Sequence, residues 1–266
     1  MKVFNLSGDT GREPGSIETS DRPDRQIRPL IVAVSGLSKT YGNLVALDDV
    51  AFSIRRGEIL GLIGPNGAGK TTLFECLAGI QPADRGKVAF ADGHETARRG
   101  DVLFYLPDGI APWPDQSVEW ALQFILHFFG GRLDLYEDIT DRLDVAPIRR
   151  TRLGTLSQGQ RKRALLAMAL LTPQPVLLID EPFEGLDLRQ SREAAKTLRW
   201  HASLGRTLFL SIHQIIDAGR FCDRFVLLSG GRACGEGTAG ELASLAMSRL
   251  GGTPPADFEE VFLALT

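Results

Sequence analysis

The sequence predicts an α/β fold in which buried strands alternate with helices around one core. Three observations predict it. Short apolar runs at Ile59–Ile63, Val176–Asp180, Thr207–Ile212 and Arg224–Ser229 read as strands, with helical patterns between them. The stretch GPNGAGKTT, Gly64–Thr72, joins the first of these runs directly to a helical pattern. At 266 residues and 43% hydrophobic, the chain is long enough to bury one large core and carry one smaller subdomain.

Residues 1–29 are rich in Gly, Ser, Asp, Arg and Pro and lack the apolar core of a signal peptide, so a disordered tail is expected there. Order begins with a strand at Ile31–Val34 that ends in a polar turn at Ser38–Gly42. Val50, Phe52 and Ile54 alternate, a turn follows at Arg55–Gly57, and Ile59–Ile63 is a fully apolar strand; the patterns are those of a hairpin and a central strand. Leu73, Leu77 and Ile80 then fall at helical spacing. KVAFADG and VLFYLP read as two further strands. From Asp108 to about Leu156 the character changes to a helical insert. It holds SVEWALQFILHFF, with Ser117 as the cap, and a run in which Leu135, Ile139 and Leu143 repeat every fourth residue. At the end, Phe258, Val261, Phe262 and Leu265 predict a docked helix over about 257–265.

Composition narrows the function classes. A net charge of −3 with 24% charged residues gives no basic field, so no nucleic-acid partner is expected. Cys76, Cys222 and Cys234 lie far apart without metal-ligand spacing and are expected to be small buried apolar residues in a reducing compartment. The longest apolar run, Ala164–Leu171, falls short of the roughly 18–20 residues that span a bilayer, so no membrane span is expected.

The glycines carry the chemistry. Gly64, Gly69, Lys70 and Thr71 satisfy GxxxxGK[ST], between the strand and the helix that the motif requires. Several backbone N–H groups must converge at a helix N-terminus to bind phosphate oxygens, and residues without a Cβ permit it. Pro65, Asn66, Gly67, Ala68 and Thr72 complete this cradle, Lys70 reaches the β- and γ-phosphates, and the Thr71 hydroxyl ligates Mg²⁺. In VLLIDEP, Asp180 suits the Mg²⁺ shell and Glu181 is placed to take a proton from an attacking water; taken alone, the two also read as an ordinary acidic pair at a strand end. The expected ligands are ATP and Mg²⁺.

LSQGQRKR, Leu156–Arg163, resembles the ABC signature LSGGQ, and with VLLIDEPFEGLD downstream the chain resembles an ABC-type ATPase subunit over residues 31–266. The resemblance implies a P-loop NTPase core with a mixed sheet, an antiparallel β subdomain and a helical subdomain insert at about 108–160, together an ATPase domain over 30–266. It also implies that Ser157, Gly159 and Gln160 close over a nucleotide held by a second subunit, and that Asp187 communicates between the two sites. By the same match His213 is the switch histidine that contacts the γ-phosphate, and Tyr41 stacks on adenine; by themselves these two read as a strand-end histidine and an exposed turn tyrosine. Two residues depart from the pattern. Gln158 replaces a signature glycine and is expected to be tolerated. Asp108 stands where the family has a glutamine, within reach of metal or water, and Gln116 is a poor substitute for it.

In this family the helical insert meets the membrane partner. Here it carries Trp113, Trp120, Phe124, Phe128 and Phe129, most expected as local core and some as the lining of a groove. The tail DFEEVFLALT resembles the ending of exporter ATPase subunits. The resemblance therefore implies an exporter's ATP-hydrolysing subunit at the cytoplasmic face of the membrane. It would pair with a second copy or a paralogue and drive separate transmembrane permease subunits. Other readings are an importer subunit, a soluble ABC ATPase acting on ribosomes or DNA, and a nucleotide-binding regulator without turnover.

Overall fold

Strands that are apolar on both faces can only be stable in a sheet covered on both sides. The computed structural model describes residues 28–91, 94, 97–212 and 221–266. The predicted tail, apart from Arg28 and Pro29, and the predicted His213 lie outside the described residues. Six strands form the main sheet in the order β5 (Leu103–Leu106), β6 (Val176–Ile179), β7 (Thr207–Ile212), β3 (Ile59–Ile63), β8 (Arg224–Ser229) and β9 (Arg232–Gly237). All pairings are parallel except β8 with β9, which makes the sheet mixed. Alternation divides the side chains: Ile59, Ile63, Leu208, Leu210, Phe225 and Leu227 enter one core. Leu60, Leu62, Phe209, Val226 and Leu228 enter the other.

The second core is closed by an antiparallel sheet of β2 (Leu44–Arg55), β1 (Leu30–Tyr41) and β4 (Arg85–Phe90), and by α1 (Lys70–Ala78). β1 runs through the expected polar turn at Ser38 and ends at Tyr41. The reason is Asp84, which takes Lys39 Nζ at 3.4 Å and the Thr40 N–H at 2.7 Å and so satisfies the polar end of the strand. The Arg55–Gly57 turn is likewise no hairpin, because β2 and β3 belong to different sheets and the turn carries the chain between them. The hairpin joins β1 to β2, with Tyr41 opposite Leu44.

The helical insert lies between β5 and β6, with α2 (Arg99–Val102) just before β5. Its helices are α3 (Val118–Phe129), α4 (Tyr136–Arg142) and α5 (Gln158–Leu171), and Ser117 caps α3 by accepting the Trp120 N–H. From Lys162 to Leu171, α5 is buried, so it is the insert's anchor in the first core. α6 (Leu188–Ser203) connects β6 to β7. β9 and α7 (Ala239–Arg249) escaped the sequence reading: the glycines of RACGEG hide an edge strand, although the Thr238/Glu241 capping box is legible. α8 (Phe258–Leu265) forms as expected and packs Phe258 on Phe225 at 4.6 Å. Ile80 does not extend α1: Gly79 closes the helix at φ 78, and Ile80 is 60% exposed. Cys76 and Cys222 are buried, whereas Cys234, on the edge strand, is half-buried.

His201 on α6 is almost fully buried, and burial, with help from Arg206 and Arg132, pushes its pKa down to about 3. The unfolded imidazole takes a proton near its ordinary 6.5 and the folded one does not, so between these values the unfolded state binds more protons. Stability therefore falls as pH falls below 6.5, with a slope approaching about 1.4 kcal/mol per pH unit. Urea unfolding at pH 7, 6 and 5 reads this slope, and His201→Leu should remove its part of it.

Candidate functional site

A parallel sheet sends the C-terminal ends of its strands to one edge. Leu106 pairs with Ile179, Ile179 with Leu210, and Ile63 with Ile212, so the segments after β5, β6, β7 and β3 emerge side by side. Gly64–Gly69 follows β3 there. A Cβ on Gly64 would stand 2.3 Å from the Leu228 carbonyl, and one on Gly69, whose φ is 103, would stand 2.4 Å from the Ala46 carbonyl. The loop is thus pressed between β2 and β8, and Gly231 N–H donates to Ala68 O at 3.1 Å. Pro65, Asn66 and Gly67 form its exposed rim, with Ala68 buried beneath.

Among the described residues, every other helix of eight or more residues has a side chain capping its N-terminus: Ser117, Ser157, Asp187, Thr238 or Asp257. α1 has no such cap and no acidic residue in its first turn, which includes Thr71 and Thr72. Its free N–H groups and the positive end of its dipole face the loop, an anion site by construction. Lys70, nearly buried, donates to Gly64 O at 2.8 Å and Pro65 O at 3.3 Å and stands 4.0 Å from Glu181 Oε1. Its charge therefore lies between the loop and the acidic pair.

Asp180, at the end of β6, accepts from Thr71 Oγ1 at 2.9 Å and from the Ser211 hydroxyl, with the Tyr105 phenol 3.4 Å away. Burial and the neighbouring Asp180 carboxylate push the Tyr105 phenol well above its usual range, so it stays a donor. Ser211 is also the acceptor for the Glu181 N–H at 2.9 Å. One hydroxyl thus orients both acids. Glu181 has φ 47, a left-handed conformation that costs a residue with a Cβ of order 1–3 kcal/mol. Thr71 and Asp180 offer a hydroxyl and a carboxylate, the hard oxygen donors that Mg²⁺ prefers when water and phosphate fill its other positions. Among the described residues, no group of three or more acidic, His or Cys side chains could hold a metal ion.

The remaining predicted residues lie further out. Tyr41 is 40% exposed at the hairpin tip, with Lys39 Nζ 5.3 Å from its ring centroid. Ser157 and Gln160 form a reciprocal capping box at the start of α5, and Asp187 forms another with Gln190 at the start of α6. Those two helix starts touch: a Cβ on Gly159 would come within 2.9 Å of Gln190 Oε1, and one on Gly185 within 2.6 Å of the Gln158 side chain. The extra side chain at 158 is thus accommodated by a glycine of the same chain. Asp108 pairs with Lys162 Nζ at 2.5 Å rather than with the Thr71–Asp180 group. Sequence reasoning missed Tyr105, Lys162 and Ser211. Ser211 was detectable as the polar residue inside the apolar run TLFLSI.

A glycine loop opening an uncapped helix, a lysine above it and an acid pair on a nearby parallel strand define a nucleoside-triphosphate-binding protein of the P-loop class. The family model described as ABC transporter matches residues 47–184. The chain belongs to that family: it is an ATP-binding subunit and an ATPase. It is 32% identical over 227 residues to the Nod factor export ATP-binding protein I of Rhizobium johnstonii, covering 82% of this chain and 72% of that protein. The doxorubicin resistance ATP-binding protein DrrA of Mycobacterium tuberculosis is 31% identical over 87% of this chain and 73% of its own length. The phosphonates import ATP-binding protein PhnC of Caulobacter vibrioides is 31% identical over 87% and 96%. A solved ATP-binding subunit of an ABC transporter superposes with a TM-score of 0.77 at 27% identity, covering 88% of this chain and 99% of that one.

Ser211→Ala removes the acceptor of the Glu181 N–H and a donor to buried Asp180 together. The expected loss in unfolding free energy is about 1–3 kcal/mol, read by urea titration.

Proposed function

We propose that the ATPase domain spans residues 30–266, with the helical insert at 108–160, and drives export through separate membrane subunits. The observation that carries the catalytic part is the chain of contacts from Thr71 through Asp180 and Ser211 to Glu181, beside Lys70. In this reading the loop N–H groups and Lys70 bind the β- and γ-phosphates, and Tyr41 stacks on adenine. Thr71 and Asp180 would hold Mg²⁺, which would offset phosphate charge. Glu181 accepts a proton from the attacking water as the water oxygen bonds to the γ-phosphorus; the bond to the bridging oxygen breaks, leaving ADP and phosphate. Ser157, Gly159 and Gln160 complete the site of a second subunit, a copy or a paralogue, with Asp187 between the two sites and His213 at the γ-phosphate.

The insert supports a protein partner. Trp120, Phe124 and Phe128 lie one turn apart on α3, stacked at 5.3 and 5.4 Å, and Trp113 packs edge-on against Trp120 at 5.6 Å. Trp113, Trp120 and Phe128 are 36%, 41% and 69% exposed, so they are not the local core expected for most of these rings. A continuous aromatic surface of this kind is a docking face. No helix among the described residues is long and apolar enough to cross a membrane. We assign the aromatic face to a cytoplasmic segment of a permease, with the subunit at the cytoplasmic side of the membrane. Export is supported by the C-terminal segment DFEEVFLALT and by the likeness to the Nod factor export protein; the likeness to PhnC is the argument for import. ATP can move the permease only through contacts that differ between the closed and open dimer.

Glu181→Gln is expected to lower kcat by about 10²–10⁴ while retaining ATP binding. Tagged Glu181→Gln protein held in ATP should capture a multi-spanning membrane protein from detergent-solubilised membranes, and Trp120→Ala with Phe128→Ala should abolish the capture. Recovery of ribosomes or DNA-repair proteins instead would overturn the transporter reading. ATP-driven uptake into inside-out vesicles tests the direction.

A further inference from the structure

α5 carries a nearly buried ammonium that the chemistry above does not use. Lys162 is 8% exposed, and its Nζ lies 2.5 Å from Asp108 Oδ1 and donates to the Glu181 carbonyl at 2.9 Å. The partners come from separate elements: Asp108 opens the insert just after β5, Glu181 follows β6, and Lys162 sits in the second turn of α5. A single charge therefore joins the entrance of the insert, its buried anchor helix and the acid pair.

Glu181 is the residue that needs such a tie. Its φ of 47 is one that residues with a Cβ rarely adopt, and relaxation would rotate the flanking peptides. Both of its backbone polar groups resist that rotation. The N–H is held by Ser211 at 2.9 Å, and the carbonyl by Lys162 and by the Glu184 N–H at 3.2 Å. With the backbone fixed, the carboxylate is directed toward Lys70, 4.0 Å from its Nζ. Among these three contacts the ammonium brings the charge, and a charge-assisted bond is stronger than a neutral one. Asp108 offsets the cost of burying that charge.

We propose that Lys162 is a positioning residue for ATP hydrolysis: anchored by Asp108, it holds the Glu181 carbonyl so that the carboxylate stays aimed at the phosphate cradle. Asp108 then serves as the anchor of Lys162, not as a metal ligand. The inference rests on the reading of Glu181 as the base.

The test uses the full chain and measures kcat and KM for ATP with radiolabelled nucleotide. Lys162→Met, Lys162→Arg and Asp108→Asn are each made in the wild-type and in the Glu181→Gln background. Lys162→Met is expected to lower kcat about 10–100-fold, the scale of a misaimed group, with KM changed less than about 3-fold. Lys162→Arg, which keeps the charge and the donor, should recover most of kcat. In the Glu181→Gln background Lys162→Met should cost less than about 3-fold, because the group it positions is already gone. An unchanged kcat for Lys162→Met, or the same loss in both backgrounds, overturns the proposal. If Lys162→Met fails to show a cooperative melt, Asp108→Asn decides by the same pair of backgrounds, since it leaves α5 intact. Wild-type kcat in Glu181→Gln itself would remove both the base and this inference; an inactive Glu181→Gln beside a fully active Lys162→Met removes the inference alone.

Discussion

The structure depends on one constraint: its central strands are apolar on both faces and parallel. Covering both faces forces two cores, one under the antiparallel sheet and α1, the other under the insert and α6. Parallel order sends the ends of β3, β5, β6 and β7 to a common edge, so residues separated in sequence by more than a hundred positions, such as Thr71 and Asp180, come within 2.9 Å. The site is the place where this sheet runs out of apolar side chains. Polar groups that must be buried there can be so only by satisfying one another.

That mutual satisfaction explains the detailed geometry. Asp180 is 4% exposed and Ser211 fully buried, and each would be costly alone. Together, the Ser211 hydroxyl gives its proton to Asp180 and its lone pair to the Glu181 N–H. Lys70 bonds to carbonyls of the loop that it closes. The loop itself cannot be widened by a methyl group at Gly64 or Gly69 without striking the Leu228 or Ala46 carbonyl. Packing from two other strands thus sets the shape of the phosphate cradle.

The parts of this fold legible in sequence are those written in local periodicity or in local spacing. Apolar runs marked β3, β6, β7 and β8; the cap residue Ser117 marked the start of α3; GxxxxGKT marked the cradle. What stayed hidden depended on distant residues. β1 continues past Ser38 because Asp84, far along the chain, satisfies Lys39 and Thr40. The β9 edge strand is built from a glycine-rich segment whose partner, β8, supplies the order. Asp108 looked like a candidate for metal because its partner, Lys162, could not be paired with it from spacing alone. The aromatic residues of α3 were legible as a helix face, but periodicity does not say whether such a face turns inward or outward.

The start of α5, which the family resemblance assigns to a neighbouring subunit's nucleotide, and the start of α6, which it assigns to communication between the two sites, are joined within this chain. Each is closed by its own capping box, Ser157 with Gln160 and Asp187 with Gln190. Gly159 then packs on Gln190 and the Gly185 carbonyl, while Gln158 fills the bare face of Gly185. A glycine at 158 would leave that face empty. With glutamine there, the start of α5 packs against Gly185, which lies between Glu181 and Asp187 on one short segment. Side-chain packing within one subunit thus joins the segment after β6 to the start of α5.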